Sequence, residues 1–64
     1  QRIAIEVELS AKRSSRTLAI MAENVGRYNE VWYFAAAPAM AVIADSYSKL
    51  QGQFRERVKV IEME

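Results

Sequence analysis

The run Val31-Trp-Tyr-Phe-Ala35 is apolar at every position. That is the pattern of a central strand covered on two sides, because a strand facing water on one side alternates instead. A chain built around such a strand must supply neighbours for it. Arg2 to Leu9 supplies one: Ile3, Ile5, Val7 and Leu9 fall on one face, and Ala4, Glu6 and Glu8 on the other. Arg57 to Met63 supplies another, alternating charged and apolar residues until Ile61 breaks the phase, as expected of a half-exposed strand near a sheet edge.

Two helical patterns separate the three strands. The first has an inward stripe of Leu18, Met21, Ala22, Val25 and Tyr28, and Gly26 and Asn29 weaken it toward its end. Ser10, Ser14 and Ser15 all qualify as its N-cap, so the spacing leaves its start open. The second follows Pro38, which suits a first helical turn, and presents Met40, Ile43, Ala44, Tyr47 and Leu50, with Gly52 as a stop signal. Strand–helix–strand–helix–strand with right-handed crossovers predicts an α/β class: β-α-β-α-β around a three-stranded, mainly parallel sheet.

Sixty-four residues allow a single small domain, 1–64. Burial of apolar surface contributes roughly 95 kcal/mol at that size, and ordering the chain costs about the same. Such a domain is expected to need help from partners or from further chain. It opens at Gln1 without an initiator methionine and still reads as strand near Glu64, which suggests a segment of a longer protein. With no cysteine and no histidine there is no disulfide framework, no zinc finger and no Ser–His–Asp or Cys–His chemistry. The lack of cysteine accords with a cytoplasmic location. Nine basic against eight acidic residues give a net charge of +1, which excludes a strongly basic tail protein. The longest uncharged stretch, Val31 to Ala44, is too short to span a bilayer and contains Pro38, so no membrane association is expected.

Carboxylates and cations therefore carry whatever chemistry there is. In parallel α/β sheets, ligands gather at the carboxyl ends of the strands. Glu6 and Glu8 stand there on β-spacing, roughly 6.5 to 7 Å apart on one face, where they can share a divalent cation and its waters. The competing reading is a solvated polar face, with the two acids paired to Arg2 or Lys59. Lys12, Arg13 and Arg16 follow, interleaved with Ser14, Ser15 and Thr17 at the start of the first helix. Free amides, hydroxyls and cations together suit a phosphate, although the same residues also make a soluble helix start. Ser10 either faces the same pocket or caps the helix. Trp32, Tyr33 and Phe34 read as core rather than as a base-stacking platform, and Asp45 with Lys49 reads as an exposed pair.

Glu6-Val-Glu8-Leu-Ser10-Ala-Lys12, followed by a helix and then Val31-Trp-Tyr-Phe, resembles the PD-(D/E)XK nuclease superfamily. The local pattern is most similar to replication-relaxation-type proteins of bacterial plasmids and mobile elements. The resemblance covers nearly the whole chain, as the back half of a restriction-endonuclease-like fold, and its motif is short. It implies that Glu6 is the metal-binding acid and that Glu8 stands where the family usually has lysine. Lys12 would return the missing positive charge from the helix start. The family's upstream Pro-Asp element, two preceding strands and first helix have no counterpart in these residues. The expected function is thus the C-terminal part of a nuclease-like DNA-processing domain linked to plasmid replication or mobilisation. In the complete protein, Glu6 and Glu8 would hold Mg²⁺ or Mn²⁺, Lys12 would act in catalysis, and Lys12, Arg13 and Arg16 would contact DNA. No organic cofactor is implied, and the fragment alone is expected to be inactive. The alternative is a non-catalytic module of the same fold, serving DNA contact or protein assembly as a homo-oligomer or against other parts of its parent chain.

Overall fold

Chain order and spatial order coincide in the sheet, and much of the architecture follows from that. A computed structural model describes residues 1–64. Its elements are β1 (Ile3–Glu8), α1 (Ser14–Arg27), β2 (Glu30–Ala35), α2 (Ala37–Lys49), α3 (Gly52–Arg55) and β3 (Val58–Glu62). The three strands form one parallel sheet in the order β1-β2-β3. The α/β class and the β-α-β-α-β order read from the sequence are what the chain adopts.

When strands are laid down one beside the next with crossovers of one hand, both connecting helices fall on the same side of the sheet. Here α1 and α2 lie together on one face, where the Ser46 hydroxyl of α2 reaches the Ser14 carbonyl of α1 at 3.5 Å. The buried core lies beneath them: Ala4 of β1, Val31, Tyr33 and Ala35 of β2, Val58 of β3, Met21 and Val25 of α1, and Ala39, Ile43 and Leu50 from the α2 segment. The opposite sheet face is open. Ile3, Ile5, Val7 and Ile61 are exposed on it, and Trp32 and Phe34 are only half-buried. The expectation of a central strand covered on two sides therefore fails for one side of β2. Tyr33 is core as read, whereas Trp32 and Phe34 are not enclosed.

The helix stripes are rotated slightly from their predicted positions. Thr17 joins Met21 and Val25 as a buried residue of α1, while Ala22 is exposed. In α2, Ala39, Ile43 and Ser46 face inward and Ala44 faces out. Small residues (Thr17, Ala39, Ser46) are among those buried on the two helices, which suits helices lying side by side on a narrow sheet. Pro38 sits in the first turn of α2 as expected. Gly52 does not simply stop that helix but opens the short helix α3, which the sequence pattern missed. Arg55 there donates to the Leu50 carbonyl, and Phe54 packs against the core. No helix is long and apolar enough to cross a membrane.

Candidate functional site

Residues 4, 6 and 8 of β1 point toward the helices, so both glutamates lie on the covered side of the sheet rather than in open water. Glu8 is only 7% exposed. There Lys12, four residues on, meets both carboxylate oxygens, at 2.8 Å to Oε1 and 3.1 Å to Oε2. Its backbone is fixed as well, since the Ala36 amide at the end of β2 donates to the Glu8 carbonyl at 2.9 Å. Glu6 is half-buried on the same face and has no hydrogen bond or ion pair. The pairing of these acids with Arg2 or Lys59 does not occur. Arg2 lies over the Tyr28 ring at 4.8 Å, and Lys59 pairs with Glu30 at 3.6 Å on the other sheet face.

The cations stand beside this pair. Arg13 occupies the N-cap position of α1 in an extended conformation, and no side chain caps the helix. Ser10, Ser14 and Ser15 were all candidates, and none serves; Ser10 is exposed and makes no side-chain hydrogen bond. The first turn also lacks an acidic residue. Free amide donors, a positive macrodipole end and three cations thus coincide. Lys12, Arg13, Ser15 and Arg16 line one open hollow of about 510 Å³ that contains no hydrophobic side chain. Lys12, which lines the hollow, is also the partner of Glu8.

Tyr33 completes the site and was legible only as a core residue. It is the register partner of Glu6 on the neighbouring strand, is 1% exposed, and its hydroxyl has no completed hydrogen bond. Burial, and then the charges of Glu6 and Glu8, push its ionisation up to about 12. Asn24 of α1 lies close enough to oppose the shift a little, without reaching hydrogen-bond geometry. The folded chain therefore holds this proton after the unfolded chain has lost it, so stability is complete below pH 10 and falls between pH 10 and about 12. Tyr33→Phe should flatten that alkaline limb. It should also gain up to about 1 kcal/mol at neutral pH, because an unpaired buried hydroxyl is removed. Urea melts at pH 8 and pH 11 check this; an equal alkaline loss in both proteins would contradict it.

A divalent cation is compatible with this donor set. Mg²⁺ is commonly held by one or two carboxylates while keeping several waters. Glu6 is free and Glu8 is next to it on the same face, although no cluster of three or more acidic, histidine or cysteine side chains is assembled. Compared with protein-family models, with curated proteins and with solved structures, the chain has no significant match.

Proposed function

We propose that this chain is the C-terminal part of a nuclease-like DNA-processing domain, in which the carboxyl end of β1 and the start of α1 form the DNA-facing site. The observation that carries the reading is the Glu8–Lys12 pair: a nearly buried carboxylate held at both oxygens by a lysine that also lines a hollow of cations. Carboxylate and phosphate-binding groups thereby meet at the strand end where α/β sheets place ligands.

Each residue then has a role. Arg13 and Arg16 hold the phosphate backbone, and the uncapped amides of α1 add donors at the same place. Lys12 fixes Glu8 and stabilises negative charge developing on phosphate. Glu6 and Glu8 are the residues that would hold Mg²⁺ or Mn²⁺, which when bound polarises a phosphodiester and lowers the pKa of a water. Tyr33, protonated across the ordinary pH range, supports the strand behind the two acids. On this reading the activity serves plasmid replication or mobilisation, in the cytoplasm.

One observation favours the non-catalytic alternative. Glu8 is already compensated by Lys12, so the cationic hollow can contact DNA without metal. Mg²⁺-dependent cleavage of supercoiled DNA by the whole protein separates the two. Under the nuclease reading, Glu6→Gln and Glu8→Gln each abolish cleavage and leave metal-free DNA binding intact. Cleavage that persists in both variants would remove the mechanism.

A further inference from the structure

The sheet face away from the helices is unfinished. Parallel sheets are found almost only with both faces covered, yet here one face carries a continuous apolar surface. The register aligns Ile5 with Trp32 and Val7 with Phe34 and Ile61, all on that side. Ile5 is 58% exposed, Val7 57%, and Leu9 just beyond the strand 68%, with Ile3 and Ile61 at 39% each. At ordinary residue areas these five expose on the order of 500 Å², near the upper end of what monomeric proteins tolerate as one patch.

The charges on this face narrow the choice of occupant. Glu30 and Lys59 stand at its rim, and they pair with each other at 3.6 Å. Glu30 also accepts from the Trp32 indole at 2.8 Å and from Gln1 at 3.3 Å, and Lys59 lies over the Trp32 ring at 5.2 Å. No unpaired charge is left to attract a nucleic acid or a charged protein, or to be stranded when the face is dried. The complement of a neutral, apolar, twisted sheet is another surface of the same kind, and the chain itself presents one.

We propose that this face is a homodimer interface, in which two copies stack sheet on sheet about a two-fold axis. The contact is isologous, so an apolar patch without net charge is self-complementary. Two sheets stacked about 10 Å apart with strands aligned to within about 30° would interdigitate the Ile5, Val7 and Phe34 side chains. The area lost by the two copies together is about 1,000 Å², the least that a specific interface buries, so the dimer is expected to be a weak one. None of Glu6, Glu8, Lys12, Arg13 or Arg16 lies on this face, so substitutions here leave the candidate site untouched.

Size-exclusion chromatography with light scattering, over concentrations from about 1 to 500 µM, reads a weak dimer directly. A concentration-dependent dimer is expected, weakened at least tenfold by Ile5→Lys and by Val7→Lys. Ala22→Lys, on the exposed side of α1, should leave it unchanged. Trp32, the single tryptophan, reports without any substitution: its emission should move to the red on dilution through the dissociation range, as the open face is uncovered. A monomer throughout, even one that binds an apolar dye, would overturn the proposal and assign the face to another partner. A dimer indifferent to both lysines, with constant Trp32 emission, would overturn it equally.

Discussion

Lys12→Ala is expected to destabilise the fold by about 2 kcal/mol, a drop of roughly 10 °C in melting temperature for a domain of this size. A solvated lysine would cost less than about 0.5 kcal/mol, and relief of a cation near a helix N-terminus would even offset a few tenths. The larger effect is expected because Glu8 is 7% exposed and Lys12 supplies its only ion pair, at both oxygens. Removing one partner of a fully buried pair costs about 3–5 kcal/mol; Lys12 is itself 40% exposed, so solvent screening lowers the figure. Millimolar Mg²⁺ should restore part of the loss, since a cation bound by Glu6 and Glu8 supplies the missing charge and stabilises by mass action. Thermal melts in chelator and in Mg²⁺ check both halves. Identical curves for wild type and variant in the two buffers would mean that Lys12 and the glutamates do not act together.

The order of elements was legible because it rests on local pattern. Alternation in β1, the apolar run of β2 and the stripe around Met21 and Val25 each declare their own type. Which face of β1 is covered was not legible, because alternation names two faces without saying where the helices go. The Ile3–Ile5–Val7 face looks like the core side, yet Ala4, Glu6 and Glu8 are the residues under the helices. That assignment comes from topology: sequential parallel strands send both helices to one side, and the side is fixed by how Val31, Tyr33 and Ala35 of β2 meet α1 and α2. Seen this way, the phase break at Ile61 is not an irregularity. It is the contribution of β3 to the same open apolar face as Val7 and Phe34.

The site was legible in part for a similar reason. The interleaved cations and serines mark the start of a helix just after the two acids, whereas the Glu8–Lys12 pair forms across the connection between strand and helix. The role of Tyr33 depends on strand register, which pairs it with Glu6 across 27 positions of sequence, and no local pattern encodes that. Its one signal was a hydroxyl in an otherwise apolar strand. The serines misled for the opposite reason. Each is a good cap by type, but helix α1 begins after Arg13 and leaves its amides uncapped, a local cost of about 1 kcal/mol that makes sense where an anion is to be received.

Phosphate held at the α1 start, as proposed, would give DNA binding a salt dependence to which Arg13 and Arg16 contribute. Each phosphate contact releases counterions, so the logarithm of the DNA-binding constant falls with the logarithm of salt in proportion to the contacts made. Fluorescence anisotropy of a labelled duplex, titrated with the protein at several salt concentrations, measures that slope. For Arg13→Ala/Arg16→Ala the slope is expected to shrink by about two and the affinity to fall roughly tenfold or more near physiological salt, equally for unrelated DNA sequences. An unchanged slope and affinity in the double variant, or no DNA binding by the wild-type protein, would contradict it.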